Sequence, residues 1–478
     1  MDRTWVKVHG FIPLVRCMPP EVVVETHVEQ LGSGIVTEIH FSREPTLTDW
    51  KMFRKHAHRV KHFRGSDQWT IGHPQTHQVK LSKDACRTIS YFLEHLETNG
   101  DMDSYLFPTL LSYTDIAVDL FPNSIPKYSL RICGGTLQSF QLHSGFGTPS
   151  SLEVRELYCD IADSLLSLCS NWPYLRTFDV ACYSTPAWLE GAHNIHLKVN
   201  LLLSRLRGLQ TFAFGLPLDR EAIIYLSNLP NLHSLTLKLR FDPSFSSPLQ
   251  LSSLSFASLR ELTVTYSAPE NIIVLLEGLR DSRSLKKLNI FPITLPEDQG
   301  CYLGGFRQLL DVVSSILSVQ ELWISVRNGR NVALSGKLLA ILFSLSQMDY
   351  FGLYGVAGTT LSDSDLQAMA AAWPKLTRFS CLTATPDIQN GANLSLFGIQ
   401  ELCNRCPRLK TAEIGMWSLG SLSSDSVRTV TPGENSLEKS ILGLANNIDD
   451  RELADTLERL IHVLFPQISY FDVWPIGH

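Results

Sequence analysis

One short pattern, L-x-x-L-x-L, constrains the fold of this chain more than any other feature of its sequence. About a dozen copies lie between Leu137 and Val473. The last two apolar residues of each copy alternate with polar ones, which is typical of a half-buried β-strand. The copies begin at Leu137, Val154, Leu175, Leu209, Leu232, Leu259, Leu285, Val319, Met348, Leu376, Leu409 and Ile468.

A helical segment and a short turn, often with a proline, precede most copies. Such a unit cannot bury its apolar face alone, so its copies are expected to stack. The sequence therefore predicts an α/β fold: an irregular leucine-rich-repeat solenoid (horseshoe) with parallel strands on its concave face and helices on its convex face. We expect the repeat positions to be almost fully buried, among them Phe178, Leu235, Leu262, Leu288 and Leu322.

The first domain, residues 1–135, is less regular than the rest of the chain. The pattern there predicts a capped helix from Thr48 or Asp49, followed by a strand at residues 60–63. Residues 65–90 are polar and are predicted to be irregular.

A degenerate repeat is predicted at residues 105–116, and the solenoid itself is predicted to occupy residues 136–478. Residues 418–440 are rich in Ser, Thr and Gly, and are expected to form a loop inserted between the last two strands. A helix from 449 to about 464 and a strand at 468–473 are predicted to cap the open end.

Composition and charge exclude several classes of protein. A hydrophobic content of 44% and a charged content of 18% indicate a folded chain. The net charge of −6 argues against nucleic-acid and membrane-surface binding. No apolar run approaches the roughly 18 residues that span a bilayer. Ten scattered cysteines and no visible secretory signal predict a cytoplasmic or nuclear protein with reduced thiols.

The sequence contains no convincing catalytic or metal-binding motif. Cys403 and Cys406 form a lone C-x-x-C with no further ligand pair nearby, which favours a structural role. Asp363 and Asp365 stand where a helix needs a cap and acidic residues in its first turn. We therefore predict no catalytic site, no cofactor and no metal, and do not expect an enzyme.

A basic run without any acidic residue follows the predicted N-terminal helix start. Its members are Lys51, Arg54, Lys55, His56, His58, Arg59, Lys61, His62 and Arg64. The run is either a solvated face or a contact for an acidic partner or adaptor. Nucleic-acid binding is disfavoured, because the whole chain is acidic and aromatic residues are not interleaved with the charges.

The residues that alternate with the repeat leucines are expected to face the concave surface. They include Thr177, Asp179, Thr236, Lys238, Glu261, Thr263, Lys287, Asn289, Phe291, Glu321, Trp323, Tyr350, Tyr354, Arg378 and Glu413.

Four large aromatic residues in this set fall in three successive repeats, whose strands should lie about 4.8 Å apart. Exposed aromatic clusters are typical of binding hot spots. We predict a protein-binding site with Trp323 as its anchor and Phe291, Tyr350 and Tyr354 beside it. Its polar rim is predicted to be Lys287, Glu321 and Arg378. A slip in strand register, or a loop folded over the cluster, would remove the site.

The helix-P-x-L-x-x-L-x-L order, seen at residues 171–178 and 404–411, resembles the repeat region of F-box proteins. More specifically, the chain is similar to the basidiomycete (fungal) family of these proteins. In that family the segment after the F-box commonly reads T-x-x-D-W-x-x-F-x-x-x-A-x-R-V-x-x-F. The matching residues here are Thr46, Asp49, Trp50, Phe53, Ala57, Arg59, Val60 and Phe63. The resemblance implies the substrate-binding subunit of an SCF-type ubiquitin ligase, with a protein target on the concave face.

The F-box itself, a helical module that contacts the Skp-type adaptor, is not evident. Residues 18–23 resemble its opening, but Gly32 and Gly34 follow where the helix should continue, and the later V-C-x-x-W-type element is missing. Residues 1–40 are therefore interpreted as the segment that follows an F-box. A Skp-type adaptor is expected as a partner only if an F-box lies upstream. The alternative is a leucine-rich-repeat protein-binding scaffold without a ligase role.

Overall fold

The computed structural model divides the chain into two compact units, Met1–Leu232 and His233–His478. It describes residues 5–30, 34–64, 78–95, 105–117, 133–144, 172–181, 193–239, 255–267, 269–294, 299–359, 361–383, 396–415, 437–444, 459, 461–462, 465, 467–468 and 470–475.

The first unit contains a parallel sheet and a second, smaller sheet. The parallel strands, in spatial order, are β1 (Lys7–His9), β4 (His62–Arg64), β6 (Ser112–Ala117), β7 (Ser139–Ser144), β8 (Thr177–Ala181) and β9 (Thr211–Leu218). The small sheet pairs β2 (Val23–Gln30) antiparallel with β3 (Gly34–Phe41), and β3 parallel with β5 (Gln78–Leu81). The helices are α1 (Ile12–Val15), α2 (Leu47–Ala57), α3 (Lys83–His95), α4 (His193–Arg205) and α5 (Arg220–Ser227).

The second unit is a run of parallel strands in sequence order. They are β10 (Ser234–Leu239), β11 (Glu261–Ser267), β12 (Lys287–Thr294), β13 (Glu321–Leu334), β14 (Tyr350–Thr359), β15 (Arg378–Thr383), β16 (Thr411–Gly415), β17 (Lys439–Leu444) and β18 (Tyr470–Pro475). Between them lie α6 (Pro269–Glu277), α7 (Gln299–Ser315), α8 (Gly336–Leu339), a 3₁₀ turn (Ala340–Ser344), α9 (Asp363–Ala372) and α10 (Leu396–Arg405).

The repeat positions form the core of both units, as predicted. Phe178, Leu235, Leu262, Leu288 and Leu322 are no more than 1% exposed. In β11, β12 and β13 the residues between them are less buried, so these strands have one core face and one more exposed face. Helix α6 contacts β11, α7 contacts β13, and neighbouring helices such as α9 and α10 contact each other. The predicted leucine-rich-repeat fold class is confirmed.

Aromatic rings replace leucine at the second repeat position through much of the first unit. Tyr113, Phe140, Phe178 and Phe212 stack in succession, with ring centroids 5.5, 6.1 and 5.6 Å apart. Parallel strands in register bring these side chains together, and each offset pair adds about 0.5–1.5 kcal/mol to the burial of its area. The degenerate repeat predicted at residues 105–116 therefore contributes a strand, β6, to the same core.

The structure corrects two predictions in the first 95 residues. Helix α2 begins at Leu47, with Thr46 as N-cap and Asp49 completing a capping box, so it starts before the predicted Thr48 or Asp49. Residues 65–90 were predicted to be irregular, but they include β5 and most of α3. Helix α3 buries Ala85, Ile89, Phe92 and Leu93. These residues have helical spacing, but the many polar residues between them hide the pattern in the sequence.

A further correction concerns the predicted 418–440 loop, because β17 begins inside it at Lys439. The strand belongs to a further copy of the repeat, Leu437–Ser440–Leu442, which begins just before β17. Serine occupies the second apolar position of this copy. The copy predicted from Val154 lies outside the described residues, as does most of the predicted helix at 449–464. The predicted boundary between the two domains lies at residue 135. Strand β6 precedes this residue and β7 follows it, and the two strands pair in one sheet.

Gly355 is required by the backbone of β14, and its replacement should destabilise the protein. Its φ is +79°, and a Cβ there would lie 2.0 Å from the Val326 carbonyl oxygen. We expect Gly355→Ala to lower the free energy of unfolding by about 1–3 kcal/mol or more, measured by chemical denaturation. The control is Gly304→Ala in α7, where a Cβ would meet nothing within 4 Å and should stabilise by about 0.5–1 kcal/mol. Equal effects at the two glycines would contradict the structure of β14.

Candidate functional site

One row of residues crosses six neighbouring strands of the second unit, on the face opposite the repeat leucines. Strand pairing places its members side by side in the order Thr263, Asn289, Trp323, Gly352, Ser380 and Glu413. Every member lies between two buried repeat positions of its own strand. Trp323 therefore stands near the middle of the row, on β13.

Trp323 is the centre of an aromatic cluster that we define as Phe291, Trp323, Tyr350 and Tyr354. Its ring stacks on Tyr354 at 4.3 Å and 14°, and meets Tyr350 edge-on at 5.4 Å and Phe291 at 5.6 Å. All four side chains are half-buried. The structure thus brings together the four aromatic residues predicted to form the site.

Gly352 makes this packing possible. A Cβ at this position would lie 3.0 Å from the Tyr350 hydroxyl oxygen, 3.2 Å from Tyr354 and 3.3 Å from Trp323. A larger residue would thus displace at least one of the rings. The sequence pattern alone gave no reason to single out this glycine, because a missing side chain produces no signal in an apolar–polar alternation.

A hydrogen-bond network holds Tyr354 in place. The Tyr354 hydroxyl donates to Glu413 Oε2 at 3.1 Å, and the Ser380 hydroxyl donates to the same oxygen at 2.7 Å. Burial raises the pKa of Tyr354 to about 12. Burial, reinforced by Tyr354, raises the pKa of Tyr350 still further. Both phenols therefore remain protonated at neutral pH, and the Tyr354 hydroxyl keeps the proton that it donates to Glu413.

The predicted polar rim lies on two sides of the aromatic cluster. Lys287 Nζ and Glu321 Oε2 form an ion pair at 3.2 Å with both side chains more than a third exposed, so the pair adds little stability. Arg378 is adjacent to Tyr350 in strand register and is exposed. Within the described part of the chain, Arg378 forms no ion pair. Its charge is available to a partner.

The Trp323 indole N–H is buried and meets no hydrogen-bond acceptor among the described residues. An unmatched buried donor costs roughly 1–3 kcal/mol. The aromatic cluster therefore offers apolar area, and Arg378 on its rim adds a positive charge.

Two residues on this face differ from the sequence-based interpretation. Lys238 was predicted to be exposed but is only 4% exposed, because Leu237, Lys238 and Leu239 are all buried and the alternation ends there. Glu413 lies on the predicted face, but its role in holding Tyr354 was missed. Its place in the same row as Trp323 is the signal that would have found it.

The other candidate chemistry of the sequence serves packing and capping. Cys403 and Cys406 are buried, and burial raises the pKa of Cys406 to about 11 and that of Cys403 further. Thiolates bind metals, so this environment opposes metal binding by the pair. Asp363 and Asp365 lie in the first turn of α9 as predicted, and the N-cap is Ser362, which forms a capping box with Asp365. Over the described ranges, no group of three or more metal-binding side chains is found.

No helix in the described part of the chain has the length and apolarity needed to cross a membrane. No protein-family description matches the chain, and no curated protein matches it either. A solved structure of a leucine-rich-repeat protein from Leptospira interrogans is similar at 12% identity, with a TM-score of 0.32. The match covers 76% of this chain and 90% of the other. The fold assignment rests on the strand pairing and on the buried repeat positions.

Proposed function

We propose that this protein is a recognition scaffold that binds a protein partner through the aromatic cluster. The observation that supports this most strongly is the stacking of Trp323 on Tyr354, which is itself held by Glu413. Aromatic side chains that are rigid before binding cover a large area at a small entropic cost, and Trp and Tyr are enriched at hot spots. Lys287, Glu321 and Arg378 would form the polar rim that orients the partner.

We further propose, from the resemblance to F-box proteins, that the bound protein is a target presented to a ubiquitin ligase in the cytoplasm or nucleus. The alternative is a scaffold without a ligase role, and the N-terminal region bears on this choice. Residues 23–30 and 34–41 form the β2–β3 hairpin, whereas an F-box is helical. Contact with a Skp-type adaptor would therefore need a segment other than this hairpin.

We predict that the β2–β3 hairpin, which lies where the F-box would be helical, does not bind a Skp-type adaptor tightly. The physical reason is that the hairpin offers no helical face to the adaptor. The measurement is a titration of the purified adaptor with the whole chain. The variant Val24→Glu/Thr26→Glu changes two exposed residues of β2, so a loss of binding would show contact at this strand. Submicromolar binding that these substitutions abolish would show that the hairpin is an adaptor site.

Comparative affinity purification tests the proposed recognition function. The wild type, Trp323→Ala and Tyr174→Ala would each be used to capture partners from cells that express the protein. Tyr174 is 63% exposed in the first unit. Its replacement by alanine is the control, because it also removes an aromatic side chain from the surface. We expect at least one protein to be retained by the wild type and by Tyr174→Ala but lost with Trp323→Ala. Identical partner profiles for all three would contradict the proposal.

A further inference from the structure

A second surface, separate in sequence from the aromatic cluster, carries an excess of positive charge. We define the basic surface as Lys51, Lys55, Arg59 and Lys61. All four side chains are exposed, and in the part of the chain that the structure describes none of them forms an ion pair. This surface stands out in a protein whose net charge is −6.

The start of β1 lies beside the segment that carries these residues. The Trp5 ring lies 4.6 Å from the His56 ring in the last turn of α2. The Val6 carbonyl accepts hydrogen bonds from the backbone N–H groups of Lys61 and His62, at 3.2 and 3.0 Å. Lys7 is the register partner of His62. The helix end, the following turn and the start of β1 are therefore neighbours.

Helix α2 is held rigidly with its acidic residue on the inner side. Asp49 is 3% exposed and accepts a hydrogen bond from Arg43 at 2.8 Å, while Trp50 stacks on Phe92 at 3.8 Å. Residues 50–64 contain no Asp or Glu. The outward cations consequently have no counter-ion on their own segment.

Helix stabilisation does not account for the basic surface. A cation in the last turn of a helix is favourable, and this explains Lys55. Lys51, Arg59 and Lys61 lie outside that turn, and like charges four residues apart, such as Lys51 and Lys55, repel each other slightly. The surface thus carries a small cost in stability that a bound anionic partner would remove.

Apolar side chains are also exposed on α2 and just before β1. Val6 is 39% exposed, Met52 is 40% exposed and Leu47 is 63% exposed. We infer that the basic surface binds an acidic protein segment that also carries apolar side chains. The apolar residues favour a protein over a nucleic acid, whose backbone is bound by cations through its phosphates. Complementary charges would steer the association and make it sensitive to salt.

Selection from a random peptide library displayed on phage tests this inference without a known partner. Peptides that bind the wild type would be selected, and those that also bind Lys51→Glu/Lys61→Glu would be removed. This variant reverses two charges outside the last turn of α2. Selected peptides would then be synthesised and titrated by fluorescence anisotropy at low and high salt. We expect acidic sequences containing Leu or Phe, with a Kd at least tenfold weaker for the variant and for the wild type at high salt.

The matched control is Arg283→Glu/Lys286→Glu, which makes the same change in net charge at two exposed residues of the second unit. Its Kd should change less than twofold. Lys51→Gln/Lys61→Gln removes charge without reversing it and should show a smaller loss if the Glu variant fails to fold. Absence of acidic peptides, equal losses in both Glu variants, or tighter binding of a single-stranded oligonucleotide of equal charge would overturn the inference.

Discussion

Truncation of Leu288 to alanine should lower the free energy of unfolding by about 2–5 kcal/mol. Leu288 is completely buried on β12 and pairs in register with Leu262 on β11 and Leu322 on β13. Removing its side chain leaves a cavity between three successive repeats. Chemical denaturation at equilibrium measures the loss.

The damage should also be local, because repeats contact mainly their neighbours. Hydrogen exchange should accelerate most in β11, β12 and β13 of the variant. Lys286→Ala is the matched control, since Lys286 is exposed two residues earlier on the same chain segment. It should change the free energy of unfolding by no more than about 0.5 kcal/mol. A small effect of Leu288→Ala would mean that the repeat positions do not form the core.

Truncation of Trp323 to alanine should weaken partner binding by about 2 kcal/mol or more, a change of roughly 30-fold in Kd. The sequence pattern alone predicts almost no effect on thermal stability, because the side chain leaves the core. The structure revises this expectation, since Trp323 contacts three aromatic rings. A stability loss of about 1.5 kcal/mol or more is expected, because three ring contacts worth about 0.5–1.5 kcal/mol each are lost.

Two companion variants separate binding from folding at this position. Trp323→Phe keeps a ring against Tyr354 and should recover most of the stability, but not the full affinity. Leu322→Ala, one residue away and fully buried, should unfold its repeat before any effect on binding can be measured. If Trp323→Ala lowers the melting temperature as much as Leu322→Ala does, the two faces of β13 have been assigned wrongly.

The repeat pattern was sufficient to predict most strands and the core, because one leucine position every two residues fixes which face of a strand is buried. It failed where other residues replace leucine. Ser440 conceals β17, and the short strand β1 carries too few apolar residues to form a period. The strand predicted at residues 60–63 is present as β4, but shifted to His62–Arg64. Helix α3 was missed because its apolar face is interrupted by polar residues in the sequence.

The candidate site was predictable in its members but not in its structure. Alternation along the strands indicated Trp323 and Tyr354 as surface residues, and strand pairing brought them together. The space provided by Gly352 and the hydrogen bonds from Tyr354 and Ser380 to Glu413 depend on side-chain geometry across strands. Such contacts join residues up to 59 positions apart and have no local signature in the sequence.

Site-specific photocrosslinking tests most directly whether a partner binds at the aromatic cluster. A photoreactive amino acid would replace Lys287 on the rim of the cluster or, as the control, Leu317, which is 63% exposed between α7 and β13. Irradiation in expressing cells should give a crosslinked partner from position 287, lost when Trp323→Ala is added, and none from position 317. A crosslink at 317 with none at 287, or one at 287 that Trp323→Ala leaves unchanged, would contradict recognition through this face.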